Sequence, residues 1–464
     1  MENDINKYGC QIRTPKYCPY KFMKYILDMT KLGRIKCGDS SNTKQKLLKF
    51  SKTKYINEKT KKIGFPVTNE YILWSDKSNE RKKISTIVRK NLIDIENHEQ
   101  IKDIRVGNMP EIIVDFSNKT NGKMFINLHF NESLSMERKK IEKYYHPYSY
   151  NIMILYFDSV SRVNALRELK KTLKFFERFM PYNSENFHSF QFFKYHAFKY
   201  YTPGNYPKLV LDIYRRKKKR FRVSYYLKKY GYVTAFSNDV CSVNQYSSLL
   251  ADFSKDELCD HEFLICDPNS GGVNSMIKRC LYDKTNTDYQ YEYGLQFWRA
   301  YKNNRKFLMI VNNDGHESTT QVIKYDDDII FNFLNNLYGE NLLKETTILL
   351  LSDHGCSLPS VYYFNEFFEI EKQLPMFFMM IADKVNQTYY QQYHNIFENQ
   401  QKFITAYDIY NTICYLMLGN IYFKKKNPKS KYIFQSRYGI NLFQKINKKR
   451  SPKNYKAMEK SVCI

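Results

Sequence analysis

The feature that most constrains this fold is a short apolar run that ends in side chains suited to chemistry. Ile348-Leu-Leu-Leu-Ser-Asp-His-Gly355 has the length of a buried strand and stops at a turn signal. Asn151-Ile-Met-Ile-Leu-Tyr-Phe-Asp-Ser-Val-Ser-Arg162 repeats the pattern. Parallel sheets bind their ligands just beyond the carboxyl ends of strands. The acids at these two ends, Asp158 and Asp353, therefore indicate a metal site.

The same alternation of elements extends over most of the chain. Runs typical of strands alternate with stretches in which apolar residues have helical spacing. The predicted strands are 151–157, 232–236, 307–312, 347–351 and 376–381, and the predicted helices are 166–179, 289–302 and 327–337. This order predicts an α/β fold with a mostly parallel central sheet and helices on both faces.

Composition divides the chain into three regions. With 464 residues, of which 43% are hydrophobic, the chain can form a large domain and a smaller one, so disorder is excluded as its main state. Residues 1–147 are polar and Lys-rich with short β-like runs, which predicts a smaller N-terminal β-containing accessory region. Residues 148–440 form the predicted catalytic domain, and residues 441–464 form a basic tail.

The charge of the chain favours acidic partners. A formal net charge of +27 suits nucleic acid, anionic glycans, phospholipid headgroups or phosphorylated substrates. A compositional bias of the genome explains the same charge equally well, because Lys, Asn, Tyr and Ile are abundant throughout. No recognisable nucleic-acid module accompanies the charge, so nucleic acid is not the expected partner.

Cysteines and sequons predict a disulfide-containing glycoprotein of the secretory route. The chain has ten cysteines and no CxxC pair, so disulfides are expected among residues 10, 18 and 37 and among residues 241, 259, 266 and 280. Acceptor sequons begin at Asn118, Asn131 and Asn386. The predicted location is extracellular or the secretory-pathway lumen. No apolar signal segment opens the chain and no apolar run reaches about 18 residues, which leaves the cytoplasm as the alternative.

A divalent metal site requires acids and imidazoles from separate elements, because no single strand end can surround an ion. The candidates, in chain order, are Asp158, Thr202, His316, Asp353 and His354. A threonine hydroxyl that binds a metal can lose its proton and attack phosphorus or sulfur directly. Thr202 is therefore the candidate nucleophile, with Ser159 and Ser161 as alternatives.

Several phrases of the chain resemble the DUF229 family, a sulfatase-like group within the alkaline phosphatase superfamily. They are Asp158-Ser-Val-Ser-Arg162, Gly231-Tyr-Val-Thr-Ala-Phe-Ser-Asn-Asp239, Cys280-Leu-Tyr-Asp283, Ser352-Asp-His-Gly355, Glu371-Lys-Gln-Leu-Pro375, Thr405-Ala-Tyr-Asp408 and, near the start, Gly9-Cys-Gln-Ile12 with Cys37. All follow the order of the family, so the resemblance covers nearly the whole chain. The Asp-His-Gly and Asp-Ser-Val-Ser-Arg phrases are the most specific.

The resemblance implies an alkaline-phosphatase-like sheet, a metal centre at strand ends, and hydrolysis or transfer at a phosphate or sulfate ester. The implied ligands are Asp158, Asp353 and His354 for one metal and His316 for a second. Thr202 matches the nucleophile, Asn205 would hold a non-bridging oxygen, and Arg162 would complement the anionic group. The expected cofactor is one or two divalent ions, with zinc as the first choice. The expected partner is an anionic substrate such as a phosphorylated or sulfated glycan or lipid headgroup.

Two departures from the superfamily pattern support an alternative function. Superfamily phosphatases place an acid four residues before the imidazole matched by His316, where this chain has Asn312, and asparagine binds such metals weakly. Only His394 is available as a further downstream histidine. The alternative is therefore a degenerate, non-catalytic member that binds anionic glycans or lipid headgroups. The absence of a Cys-x-Pro-x-Arg signature argues against a true sulfatase.

Overall fold

A seven-stranded sheet forms the centre of the protein. The computed structural model describes residues 10, 12, 53–56, 63–64, 110–115, 123–180, 186–210, 223–239, 259–265, 280–281, 283–317, 320–355, 366–382, 390–419, 436, 438–455 and 458. The strands are β1 (Thr53–Ile56), β2 (Ile63–Gly64), β3 (Glu111–Asp115), β4 (Lys123–Asn127), β5 (Asn151–Phe157), β6 (Phe187–Gln191), β7 (Tyr195–His196), β8 (Val233–Asn238), β9 (His261–Leu264), β10 (Cys280–Leu281), β11 (Lys284–Thr285), β12 (Lys306–Asn312), β13 (Thr346–Ser352), β14 (Phe377–Ala382) and β15 (Ile404–Thr405).

The order of the strands in the central sheet is β6-β14-β13-β5-β12-β8-β9. The five strands from β13 to β9 are parallel, whereas β14 runs antiparallel to β13 and to β6. Each of the five predicted strands is present. The expected α/β fold with a mostly parallel sheet is confirmed, and the segment predicted at 376–381 makes the sheet mixed.

Helices cover both faces of this sheet. They are α1 (Glu132–Glu142), α2 (Arg162–Glu168), α3 (Lys170–Glu177), α4 (Tyr206–Val210), α5 (Val223–Lys229), α6 (Asn286–Ala300), α7 (Asp327–Gly339), α8 (Glu366–Gln373), α9 (Tyr390–Asn399) and α10 (Ala406–Leu418). The stretch predicted as one helix over 166–179 contains two helices that meet at Leu169. Among the described helices, none has the length and hydropathy that a membrane crossing requires.

The central sheet separates two hydrophobic cores, because the side chains of its strands point alternately to its two faces. In β5 every residue is buried, and successive side chains point to opposite faces. Ile152 and Ile154 pack with residues of α4, α5 and α10, whereas Met153 and Leu155 pack with residues of α2, α3, α6 and α7. Burial on both faces explains why the strands lack the apolar–polar alternation of a sheet with one solvated face.

The N-terminal region contributes a second sheet in the order β2-β1-β3-β4. The β-like runs predicted at 111–116 and 123–128 are confirmed as β3 and β4. Met124 and Ile126 of β4 are buried with the core on the α6 side of the central sheet, and Gln296 of α6 donates to the carbonyl of Ile126 over 2.7 Å. The division of the chain at residue 147 stays a prediction.

The segment expected as a basic tail, 441–464, packs into the fold where the structure describes it. Leu442, Phe443 and Ile446 are buried in the core that contains α10. The Phe443 ring lies 4.8 Å from that of Tyr415 between centroids. Lysines lie between and after these apolar side chains in the sequence. The composition of the segment therefore shows its positive charge but not the burial of its apolar residues.

This packing predicts a large stability effect at Phe443. Phe443→Ala is expected to lower the free energy of unfolding by about 3–5 kcal/mol, because it removes a buried aromatic side chain and leaves a cavity. Lys445→Ala, two residues away and exposed, serves as the control and should change it by less than about 0.5 kcal/mol. Chemical denaturation measures both values. Equal stability of the two variants would show that the segment does not contribute to the core.

Candidate metal centre

The register of the parallel strands places the candidate acids side by side. Phe157 of β5 pairs with Ser352 of β13 on one side and with Asn312 of β12 on the other. Asp158 and Asp353 each follow these paired residues directly. Neighbouring strands lie about 4.8 Å apart, so residues that leave adjacent strands at one level are close.

The structure brings Asp158, Asp353 and His354 together as a buried cluster. One ligand atom from each lies within 4.8 Å of the other two. His354 Nε2 is 3.5 Å from Asp158 Oδ1 and 3.6 Å from Asp353 Oδ2. His354 Nδ1 is 2.7 Å from the carbonyl oxygen of Gly355, which can only accept, so Nδ1 is the donor in that contact and Nε2 faces the cluster.

Thr202 joins this cluster from a separate loop. Its hydroxyl donates to Asp158 Oδ1 over 3.0 Å and lies 3.3 Å from His354 Nε2. Thr202 begins a short 3₁₀ helix, Thr202–Gly204, whose Pro203 at the first turn suits the fixed φ of that position. The four side chains together present two carboxylates, one imidazole nitrogen and one hydroxyl to a common point.

Asn205 holds the loop that carries Thr202. Its Oδ1 accepts from the backbone N–H groups of Phe198 and Lys199, at 2.6 and 3.2 Å. Its Nδ2 donates to the carbonyls of Lys199 and Tyr201, at 2.7 and 3.0 Å. Because these four bonds occupy the amide, Asn205 acts in this structure through the backbone around Thr202.

The turn after β5 is strained where the site is built. Ser159 has φ of 67°, the left-handed region that non-glycine residues rarely adopt. This conformation directs Ser159 N toward Asp353 Oδ1 at 3.4 Å, and the Ser159 hydroxyl donates to the carbonyl of Gly355 at 3.3 Å. Strain of this kind clusters at functional sites, where the surrounding structure must maintain it.

Position 355 requires a glycine, because the backbone of α8 passes too close to leave room for a side chain. A Cβ at this position would lie 1.8 Å from the carbonyl oxygen of Glu371 in α8. The N–H of Gly355 donates to the carbonyl of Lys372 over 2.9 Å, which ties the end of β13 to that helix. In the Asp-His-Gly phrase, the glycine therefore has a structural role, whereas the aspartate and the histidine belong to the cluster.

Electrostatics indicate that the buried cluster disfavours a second negative charge. Burial raises the pKa of Asp353, and the Asp158 carboxylate raises it further, whereas His354 and the nearby Tyr156 hydroxyl oppose the shift. In the described part of the chain, Asp353 Oδ2 accepts no hydrogen bond of normal geometry. Two buried carboxylates, an imidazole nitrogen and a hydroxyl fit a divalent cation, and this mixed oxygen and nitrogen set suits zinc.

His316 lies beside this cluster on the end of β12. Its ring centroid is 6.4 Å from that of His354, at an interplanar angle of 76°. The segment that carries His316 can lie this close to the turn after β5 because residue 315 is a glycine. A Cβ there would lie 2.3 Å from Val160 Cγ2 and 2.5 Å from the carbonyl oxygen of Asp158. His316 is thus adjacent to the three-ligand cluster and outside the set that converges within 4.8 Å.

Asp239 is a site residue that the sequence interpretation left without a role. It follows β8 directly and is fully buried, and its Oδ1 accepts from the N–H and the side chain of Asn313. Asn313 immediately precedes the 3₁₀ turn Asp314–His316. Asp239 therefore fixes the segment that presents His316. Its position at the end of a predicted strand was the available signal.

Asn312 is engaged in a separate polar network. Its Nδ2 donates to Thr287 Oγ1 at 3.1 Å and to Asp326 Oδ2 at 3.3 Å, and its Oδ1 accepts from the N–H of Asp314 at 2.9 Å. The hydroxyl of Thr287 also donates to Asp314 Oδ2 at 3.1 Å. The amide thus contributes to the fold at the position where superfamily phosphatases are expected to place an acid.

The remaining candidates lie at the start of α2. The Arg162 guanidinium packs over the Phe193 ring at 5.4 Å, and burial lowers its pKa. The Ser161 hydroxyl caps α2 by accepting from the N–H of Asn164 and donates to Glu371 Oε2 at 2.8 Å. Ser159 and Ser161 both have structural partners, which leaves Thr202 as the hydroxyl within the carboxylate and imidazole cluster.

The family model described as "Protein of unknown function (DUF229)" matches residues 32–188 and 224–464. The chain belongs to the DUF229 family. The match covers most of the polypeptide, including each strand end of the candidate site, and it confirms the resemblance seen in the sequence. No curated protein matches this DUF229 chain.

Solved structures similar to this DUF229 protein include three from bacteria. The C-terminal periplasmic domain of EcEptC from Escherichia coli has 13% identity and a TM-score of 0.41, covering 58% of this chain and 82% of that one. A protein in the alkaline phosphatase superfamily from Vibrio parahaemolyticus has 11% identity and a TM-score of 0.40, covering 63% and 76%. The lipoteichoic acid synthase LtaP from Listeria monocytogenes has 12% identity and a TM-score of 0.41, covering 67% and 81%.

The raised pKa of Asp353 predicts that its charged carboxylate lowers the stability of the metal-free protein, although the same carboxylate is expected to bind metal. A carboxyl whose pKa rises on folding contributes stability below its unfolded value, ordinarily 3.8, and that contribution is lost as pH rises through the folded value. Asp353→Asn is therefore expected to raise the Tm of the metal-free DUF229 protein at pH 7 and to reduce bound metal. The Tm difference from wild type should shrink as pH falls toward 3.8.

The matched control is Asp328→Asn, which neutralises an exposed carboxylate on α7. It should leave metal content unchanged and shift stability by less than about 1 kcal/mol. Thermal unfolding after chelation and elemental analysis of the untreated protein measure the two effects. A metal-free Asp353→Asn protein that melts below wild type would contradict the electrostatic interpretation.

Proposed function

We propose that this DUF229 protein is a metal-dependent enzyme that hydrolyses or transfers a phosphoric or sulfuric ester. The observation that supports this most is the position of Thr202. Its hydroxyl lies 3.0 Å from Asp158 Oδ1 and 3.3 Å from His354 Nε2, at a cluster suited to a divalent cation. A threonine that served only to close a turn would not require two buried carboxylates.

The proposed metal is zinc. Asp158, Asp353 and His354 would hold the first ion, with Thr202 as a further oxygen ligand, and His316 would serve a second ion. A bound divalent ion supplies positive charge that lowers the pKa of a hydroxyl and stabilises charge on the transferred group. The composition of this cluster supports the assignment, because carboxylate oxygens and imidazole nitrogens are typical zinc ligands.

The proposed reaction proceeds through the Thr202 hydroxyl. Its Oγ1 forms a bond to the phosphorus or sulfur of the ester while the bond to the leaving ester oxygen breaks. The hydroxyl proton passes toward Asp158 Oδ1, the acceptor of its hydrogen bond. Water then releases the group in a hydrolase, or an acceptor hydroxyl takes it in a transferase.

The proposed substrate is an anionic ester such as a phosphorylated or sulfated glycan or lipid headgroup. The net charge of +27 supports an anionic partner, and Arg162 is the guanidinium proposed to complement the transferred group. Asn205 would contribute through the backbone that it holds around Thr202.

The proposed location is the extracellular space or the secretory-pathway lumen. Asn131 of the second sequon is exposed, and its Oδ1 caps α1 by accepting from the N–H of Leu134, so glycosylation at Nδ2 is compatible with the fold. Asn118, Asn386 and several of the expected disulfide cysteines lie outside the described residues. Glycosylation and disulfide pairing therefore stay proposals.

Thr202 offers a direct test of the mechanism. Thr202→Ala is expected to lower kcat by about 10³-fold or more on an aryl phosphate, phosphodiester or sulfate ester, because it removes the attacking oxygen. Thr202→Ser is the matched control and should retain measurable turnover, since it keeps a hydroxyl at the same place. Intact-mass analysis of wild type should detect a phosphorylated or sulfated protein. Full activity of Thr202→Ala would refute the proposal.

A second candidate function is a non-catalytic member that binds an anionic glycan or lipid headgroup. The observation that favours it is Asn312, whose amide is engaged with Thr287 and Asp326 where an acid is expected. Metal analysis separates the two functions. The enzyme should contain about one or more equivalents of divalent metal, and Asp353→Ala and His354→Ala should lose both metal and turnover. A metal-free, inactive wild type that binds heparin would favour the alternative.

A further inference from the structure

Two cavities lie at the edge of the central sheet opposite the metal centre. The first has a volume of about 510 Å³ and includes Tyr150, Arg305 and Glu345, which directly precede β5, β12 and β13. Parallel strands begin at this edge and end at the metal centre. β5 alone contains seven residues, so at about 3.3 Å a residue the two edges are roughly 20 Å apart.

The second cavity adjoins the first along α1. It has a volume of about 450 Å³ and shares Tyr145 with its neighbour. Lys140 and Tyr144 contribute from the end of α1 and the following turn, and Lys229 and Tyr230 contribute from the end of α5. The two cavities share Tyr145 and both lie along α1, and the pair is here called the edge groove.

Tyrosine rings form the walls of the edge groove. Tyr145 and Tyr230 contact each other edge to face, with centroids 4.7 Å apart. Tyr144 is 79% exposed, far more than a tyrosine kept for packing requires. Tyrosine faces bind sugar rings and bases through their apolar surface while the hydroxyl remains in water. The walls therefore suit a ligand with flat apolar faces and polar edges.

The edge groove has more cationic than anionic side chains in its lining. Five cationic side chains line it, namely Lys139, Lys140, Lys143, Lys229 and Arg305. Two carboxylates oppose them, Glu142 and Glu345. An anionic ligand complements this balance if its charged groups meet the cations and its uncharged groups lie beside the carboxylates.

The Arg305 guanidinium is a buried, fixed part of the groove. In the part of the chain that the structure describes, Arg305 Nε and Glu142 Oε2 are buried and have no hydrogen-bond partner. The rest of the Arg305 guanidinium donates to the carbonyls of Tyr230 and Tyr145, both at 2.9 Å, so the cation is held rigidly between the two cavities. Because Arg305 is buried, the exposed lysines Lys139, Lys140, Lys143 and Lys229 are the cations that a ligand in the groove can reach.

We propose that the edge groove is an auxiliary binding site for a sulfated oligosaccharide. Sulfate groups would meet the lysines, and sugar rings would lie against Tyr144 and Tyr145. A single-stranded nucleic acid fits less well, because every nucleotide carries a phosphate, whereas a sulfated oligosaccharide has uncharged hydroxyls that can lie beside the exposed Glu345 carboxylate. The site holds a glycan independently of the chemistry at Thr202.

The test uses the full-length protein and a fully sulfated heparin hexasaccharide as the probe. The double variant Lys140→Ala/Lys229→Ala is expected to weaken binding by about tenfold or more, and Tyr144→Ala by about threefold or more, measured by calorimetry. The matched control is Lys445→Ala/Lys449→Ala, which removes the same charge from exposed positions elsewhere and should change the affinity less than twofold. Circular dichroism verifies that all variants are folded.

Asp353→Ala separates this site from the proposed enzyme. It should bind the hexasaccharide as wild type does, even where turnover is abolished, so failure of the enzymatic proposal leaves this test intact. An equal loss in the groove and control variants would overturn the proposal in favour of diffuse charge. Tighter binding of oligo-dT than of the hexasaccharide, with the same dependence on Tyr144, would overturn it in favour of single-stranded nucleic acid.

Discussion

The pairing of β5 between β12 and β13 is the constraint on which the site depends. Because Phe157 is level with both Asn312 and Ser352, the polar residues that follow these three strands meet at one edge. A shift of one residue in this register would send Asp158 to the other face of the sheet and separate it from Asp353. Burial of β5 on both faces stabilises the register, since every side chain of the strand packs in one of the two cores.

Close backbone contacts convert this register into a site. The left-handed Ser159, the approach of Gly355 to α8 and the approach of Gly315 to the Asp158 carbonyl each require a conformation or a space that most residues lack. Together they hold the turns that carry Asp158, Asp353, His354 and His316, and the Thr202 hydroxyl joins this cluster from a separate loop. Such a concentration of negative charge is unfavourable in a low-dielectric interior, and a cation offsets it. The same edge that is costly for stability is thus the one suited to metal chemistry.

The edge groove shows how one fold provides two different environments. At the carboxyl ends of the strands, acids converge at short distances, whereas at the amino ends Tyr145, Arg305 and the lysines of α1 create a wide basic surface. The proposed reaction and the proposed glycan site are therefore compatible, because ligands at opposite edges do not compete. A positive groove also raises the local concentration of anionic ligands, an effect that salt weakens.

The sequence by itself determined five of the seven strands of the central sheet, the positions of three helical stretches and the identity of the residues at the strand ends, because local hydrophobic periodicity and turn residues encode them. It also supported the pairing of Asp158 with Asp353, since both follow buried parallel strands. Only the tertiary structure decided that Thr202 reaches them, that Asn205 and Asn312 are occupied by structural hydrogen bonds, and that Asp239 positions the His316 segment. These facts depend on loop conformation and on contacts between residues distant in the chain, which no local pattern specifies. The burial of Phe443 in a Lys-rich segment has the same origin.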